Sequence, residues 1–163
     1  MENLIKKSNQ NLGGVVELMA IPVSSFLRIR EDYKAGTKHL EVKERENIIL
    51  MPAEPENKVK WEEVHEFADG GDLWTIKVSG IVPNVDSVDH KLEERLQRGR
   101  WLVLTRTSNG CVRLSGSCDT PMRFITNTGT GENAASLNAM AFSFECSQAE
   151  PSVVLSLGKL VDL

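Results

Sequence analysis

A mainly β protein, an antiparallel β-sandwich or barrel with one α-helix inserted at about residues 86–98, is what this sequence predicts. Three observations carry the prediction. Apolar and polar residues alternate in several short runs, most cleanly Trp74, Ile76 and Val78 against Thr75, Lys77 and Ser79, and a period of two places one set on each face of a strand. Turn-forming residues punctuate the runs at Asp69-Gly70-Gly71-Asp72 and Ser108-Asn109-Gly110, as successive antiparallel strands require. The helical signal is confined to one segment, where Val88, Leu92 and Leu96 recur at four-residue steps.

Taken in order, residues 1–14 are polar and unpatterned and read as an N-terminal arm, leaving residues 15–163 as a single β-rich domain. Residues 15–21 form a strand candidate stopped by Pro22, and residues 24–30 extend the chain again, because proline lacks the N–H that a ladder needs. Residues 38–43 and 47–51 read as two short strands joined by the charged Glu44-Arg45-Glu46 turn, a hairpin that Pro52 and Pro55 end. Val59 and Trp61 alternate with Lys58, Lys60 and Glu62 in the next strand, and the Trp74 to Val78 run follows the Asp-Gly turn.

The helix takes Asp86 or Ser87 as its N-cap, Glu94 and Arg98 as an i,i+4 pair, and Gly99 as its stop, each residue type suited to its position. Its narrow apolar stripe suits a helix at a sheet edge or a barrel end, with His90, Lys91, Glu94, Arg95 and Arg98 facing solvent. Residues 101–107 and 111–115 flank Asn109-Gly110, a favoured two-residue hairpin turn. That register sets Thr107 opposite Val112, Arg106 opposite Arg113 and Thr105 opposite Leu114, so that Trp101, Val103, Thr105, Val112 and Leu114 share a face. Residues 122–126 and 140–146 supply further strands, the second with Met140, Phe142, Phe144 and Cys146 inward and Ala141, Ser143 and Glu145 outward. Between them the glycine-rich stretch through Leu137 reads as a long loop, and the apolar tail of residues 151–163 needs a surface to cover. Eight to ten strands result.

At 163 residues, the chain makes one ordinary domain with an apolar fraction of 40%, enough for a core. The net charge of −4 disfavours specific nucleic-acid binding, which relies on excess Lys and Arg. No apolar run approaches the length of a membrane span, so the expectation is a chain made in the cytoplasm with no membrane partner. Cys111, Cys118 and Cys146 show no C-x-x-C spacing and read as reduced structural thiols.

Catalytic, cofactor and metal motifs are not found in the sequence. His39, His65 and His90 are too dispersed for a zinc pattern, there is no G-x-S-x-G elbow, and the Thr126 to Asn133 stretch lacks the G-K-[ST] of a phosphate loop and carries Glu132 instead. Arg106 and Arg113, placed opposite one another, call for an anion between them, either a carboxylate of an adjacent strand such as Glu145 or an acidic residue of a neighbouring subunit. These arginines, the loop residues Asn127, Gly129, Gly131 and Asn133, and the tail residues Leu155, Leu157 and Leu160 are the candidate interface positions.

Residues 74–151 carry Gly80-Ile81-Val82-Pro83, Arg100-Trp101-Leu102-Val103-Leu104, Asn109-Gly110, Arg113-Leu114-Ser115-Gly116, Pro121-Met122-Arg123-Phe124, Leu137-Asn138 and Phe142-Ser143-Phe144. In this order they resemble small structural proteins of phages and prophages of Bacteroides-type bacteria, tail-tube-like or of the head-to-tail connection. The resemblance implies a non-enzymatic virion component made in the bacterial host cytoplasm. It implies a homo-oligomeric ring that contacts other virion proteins, with DNA passing through a lumen that its negative charge would keep free of sticking. It supplies no catalytic or cofactor-binding residue. The rival reading is a β-sandwich module that binds carbohydrate or peptide through exposed aromatic residues, for which Tyr33 and Trp61 are the candidates.

Overall fold

The computed structural model describes residues 14–51, 53, 57–83, 88–129 and 139–155. Over these residues the chain forms β1 (Val15–Pro22), β2 (Phe26–Asp32), β3 (Thr37–Val42), β4 (Ile49–Met51), β5 (Lys60–Ala68), β6 (Gly71–Pro83), α1 (His90–Arg98), β7 (Trp101–Thr107), β8 (Val112–Ser115), β9 (Arg123–Gly129), β10 (Ala139–Gln148) and β11 (Val153–Leu155). The mainly β, antiparallel architecture with one helix is therefore as expected, with more strands than the eight to ten read from the sequence. Of the N-terminal arm only Gly14 falls within the described residues.

One sheet has five strands in the order β11-β8-β7-β1-β4, a second has four in the order β5-β6-β10-β9, and β2 and β3 form a separate pair. The two larger sheets pack face to face over Leu18, Met51, Ile76, Val78, Trp101, Val103, Phe124, Phe142 and Phe144, with Leu96 of α1 added from the side. A second core lies on the other face of the five-stranded sheet, where Ile21, Leu102, Leu104, Val112, Leu114 and Leu155 are covered by Phe26, Ile29, Leu40 and Val42 of the β2–β3 pair. Strand β7 is thus buried on both faces, which is why Trp101-Leu102-Val103-Leu104 reads as a continuous apolar run instead of an alternating one. At one corner Trp101 and Met122 exchange backbone hydrogen bonds of 3.2 and 2.8 Å and join the two sheets.

Several local expectations are corrected. β3 pairs with β2, and β4 pairs with β1, so the hairpin expected across Glu44-Arg45-Glu46 does not form. The chain instead reverses over Tyr33 to Gly36, where Gly36 takes a positive φ of 62° and Asp32 Oδ1 accepts from the Lys34 and Ala35 N–H groups. This aspartate-led turn was hidden by the charged residues on either side of it.

The Asn109-Gly110 hairpin carries the most consequential correction. Thr107 N–H donates to the Cys111 carbonyl at 2.9 Å and Gly110 N–H to the Thr107 carbonyl at 2.8 Å, with Gly110 at φ 78°. The loop is therefore Ser108-Asn109-Gly110, and the pairs are Arg106 with Val112, Thr105 with Arg113 and Leu104 with Leu114. A register shifted by one residue turns every side chain of a strand to the other face. Val112 and Leu114 accordingly join Leu102 and Leu104 in the second core, and Arg106 and Arg113 stand on opposite faces of the sheet.

The helix is capped three residues after Asp86 and two after Ser87, the predicted caps. Asp89 is the N-cap, its carboxylate accepting from Lys91 and Leu92 N–H, while Asp86 and Ser87 lie outside the described residues. At the other end the Trp101 indole N–H donates to the Leu96 carbonyl at 2.8 Å, and Gly99 lies so close beneath the indole that a Cβ there would collide with it. The Glu94–Arg98 pair forms at 2.6 Å. On its inner side α1 lies along β9, where Gln97 Nε2 donates to Thr126 Oγ1 at 3.0 Å. One edge of the four-stranded sheet is thereby covered, as a sheet edge commonly is.

Strand β9 continues into the stretch expected as a loop and ends at Gly129, which pairs with Ala139; residues 130–138 lie outside the described residues. The tail also enters the fold. Val153, Val154 and Leu155 pair with Leu114, Arg113 and Val112.

Candidate assembly surface

The four-stranded sheet turns one face to the core and the other outward. Across the outer face the registers align residues into rows. Glu62, Lys77, Glu145 and Arg123 stand side by side on β5, β6, β10 and β9, and Lys60, Ser79, Ser143 and Ile125 form the next row. The first row alternates in charge, the favourable arrangement for direct cross-strand neighbours. Lys77 Nζ meets Glu145 Oε1 at 2.7 Å. The hydrogen bond from Lys77, supported by one from Ser143, holds the Glu145 carboxyl below its usual value, and the same contact raises Lys77.

Beyond that row the surface becomes apolar. Ile81, Ile125 and Ala141 line a shallow groove with Lys58, Lys60 and Lys77 around it, and Ile125 is 49% exposed. Lys58 holds a positive φ of 47° and makes no ion pair among the described residues.

At the opposite end of the same sheet the β5–β6 hairpin outruns its neighbour. The pairing of β10 with β6 ends at Gln148 with Trp74, whereas β5 and β6 stay paired to Ala68 and Gly71. The hairpin therefore projects by about 10 Å, three residues at the usual strand rise. Its overhang exposes Phe67 at 83%, together with Leu73. His65 stiffens it by stacking on Trp74 with ring centroids 4.3 Å apart and by setting Nε2 2.8 Å from Asp72 Oδ1. Residues 62–72 contain Glu62, Glu63, Glu66, Asp69 and Asp72 and neither Lys nor Arg. Sequence reasoning stopped the strands short of this tip. The signal that finds it is Asp69-Gly70, a two-residue turn dipeptide of the kind recognised at Asn109-Gly110.

The predicted interface positions are scattered. Arg106 pairs with Glu17, its direct neighbour on β1, at 2.5 Å. An adjacent-strand carboxylate thus does meet it, from β1, whereas Glu145 is engaged by Lys77. Arg113 stacks over the Trp61 ring at 4.5 Å. Asn127 is exposed beside the groove, and Gly129 ends β9. Leu155 is 5% exposed in the second core, so it covers its own subunit. Gly131, Asn133, Leu157 and Leu160 lie outside the described residues.

The two aromatic residues of the binding-module reading do not form a platform. Tyr33 is exposed on the β2–β3 turn. Trp61, on the four-stranded sheet, lies partly buried under Arg113, and its indole N–H donates to Ser115 Oγ at 3.2 Å. That hydroxyl is in turn 3.1 Å from Ser152 Oγ, and Ser152 N–H donates to Glu63 Oε1 at 2.6 Å. This chain of polar contacts ties β5 to the segment leading into β11 and closes the side of the sandwich.

Cys146 adjoins this closure. Burial, reinforced by the Glu63 charge, pushes its thiol up to about 11, the direction opposite to that of a reactive nucleophile. Among the described residues no three His, Cys, Asp or Glu side chains gather in an arrangement suited to a metal ion. No described helix is long and apolar enough to cross a membrane. Comparison with family models, curated proteins and solved structures finds no match to this chain.

Proposed function

We propose that the chain is a non-enzymatic structural subunit that works by self-association, copies joining into a ring. The observation that carries this reading is the projecting β5–β6 hairpin, which leaves Phe67 at 83% exposure on a stiff support. A projecting, ordered, apolar tip has little use in an isolated soluble domain and is a common sign of a protein contact. With α1 on the opposite edge of its sheet, the hairpin sits on the terminal strand β5, where a strand invites pairing with another chain.

The particle to which such a ring belongs rests on the sequence resemblance of residues 74–151. On that basis the subunit is a virion component, tail-tube-like or part of a head-to-tail connector, whose neighbours are other virion proteins. The test is light scattering across a concentration series, followed by electron microscopy of the largest species. The expected result is a mass that climbs to a fixed multiple of the 18.1 kDa subunit with annular particles in the images. A monomer persisting at the highest concentration refutes self-association.

A further inference from the structure

We infer that the β5–β6 hairpin tip of one copy docks into the outer-face groove of a second copy, so that the subunits join head to tail. The inference rests on the self-association reading above and names the two surfaces that meet.

Charge complementarity selects the occupant. Among the described residues the groove has Ile81, Ile125 and Ala141 along it, Lys58, Lys60 and Lys77 beside it, and no carboxylate in its lining. The tip has the reverse character, with Phe67 and Leu73 exposed and Glu66 and Asp69 making no ion pair among the described residues. On the groove side Lys58 is equally uncommitted. Apolar surface is thus offered against apolar surface with opposite charges around it, the pattern that steers two proteins together and fixes their orientation. Lys60 and Lys77 are already paired with Glu62 and Glu145 at 2.6 and 2.7 Å, so Lys58 is the groove cation, among the described residues, left to meet the tip's carboxylates.

Position supports the same pairing. Lys60 and Ala68 bound β5, so the groove and the tip lie about 26 Å apart along one strand pair at the usual rise per residue. The two patches are different, which makes the contact heterologous, and repetition of a heterologous contact generates a ring where the rotation closes and a filament where it does not. A symmetric dimer would leave no patch free for further growth. The head-to-tail contact leaves one tip and one groove unused at every stage before a ring closes.

That property provides the test. Phe67→Asp spoils the tip and Ile125→Asp the groove, and both side chains are exposed, so circular dichroism and melting temperature should match the parent. Sedimentation velocity of the full chain should show each variant alone as a monomer, its association weakened about tenfold or more, as for loss of a central interface residue. An equimolar mixture should give a one-to-one dimer and nothing larger, because only one competent tip and one competent groove remain per pair. Leu73→Asp and Ala141→Asp repeat the two arms should either first variant fold poorly. Association of the parent should also weaken as salt rises from about 0.05 to 0.5 M, as screening of exposed charges requires. A parent that assembles while both variants assemble equally well overturns this docking and leaves self-association standing, as does a mixture that yields only monomers. A parent that is monomeric throughout overturns both.

Discussion

Gly80→Ala tests the packing of the sandwich at a glycine whose missing side chain is replaced by a neighbouring ring. Gly80 sits in the middle of β6 directly opposite Phe142 of β10, and the Phe142 ring lies over the space a side chain would fill. A Cβ on Gly80 would be 2.6 Å from Phe142 Cζ, 2.9 Å from Cε1 and 3.2 Å from the Asn57 carbonyl oxygen. Ordinary carbon–carbon contacts are about 3.5–4.0 Å, so the ring must retreat by about 1 Å. It has nowhere easy to go, being 3% exposed and packed against Phe124 and Phe144 at centroid distances of 6.1 and 6.4 Å.

Two effects oppose each other. Gly80 is not among the positive-φ glycines, so alanine is compatible with its backbone and should gain about 0.5–1 kcal/mol from lower unfolded-state entropy. Overpacking a filled core costs about 1–3 kcal/mol. The steric effect should win, leaving a net loss of about 1–2 kcal/mol, read as a lower urea midpoint at unchanged slope. Phe142→Leu alone should cost about 1–3 kcal/mol through its cavity. The double variant should be more stable than the sum of the two losses by about 1 kcal/mol, because the new methyl enters the vacated space. Additivity within about 0.5 kcal/mol, or a Gly80→Ala variant more stable than the parent, refutes the argument.

Leu155→Ala should lower stability by about 2–5 kcal/mol, the cost of a buried leucine truncation, since Leu155 is packed with Val112 and Leu114. A change under about 0.5 kcal/mol in thermal unfolding would place β11 outside the subunit's own core. Cys118 is exposed and Cys146 partly buried, so Cys118 should react first with iodoacetamide at pH 8 and Cys146 more slowly. Peptide mass mapping reads the order, and equal labelling of the two contradicts the burial. The folded protein holds the Cys146 proton more tightly than the unfolded chain, with a value raised from 9.0 to about 11. Its contribution to stability is therefore complete below pH 9 and is lost as pH rises through about 11, a loss that Cys146→Ala should abolish.

What the sequence by itself determined is whatever depends on neighbours within a few residues. Alternation placed Ile76, Val78, Phe142 and Phe144 inward, as observed, because the period of two belongs to the strand itself. The helix body and its Gly99 stop were legible for the same reason, and only the cap moved, to Asp89. The candidate assembly surface was barely legible. Phe67 next to Asp69-Gly70 announces a hairpin tip, but nothing local says that β5 and β6 will outrun β10. The groove collects Lys58, Ile81, Ile125 and Ala141 from separate stretches of chain.

The β7–β8 hairpin was legible as a pair, but only the tertiary structure decided its register and the pairing of strands distant in sequence. Glu44-Arg45-Glu46 looks like a hairpin turn, yet β4 finds β1 and β3 finds β2. Each choice was made by the apolar faces that the partners bury together. One residue of loop length at Asn109-Gly110 separated Arg106 from Arg113 and moved Val112 and Leu114 into the second core. The tail was apolar in sequence and gave no sign of what it covers. The five-stranded sheet offered β8 as an unpaired edge, and Val153 to Leu155 took it. Pairing free energy belongs to two segments at once, so it cannot be read from either one alone.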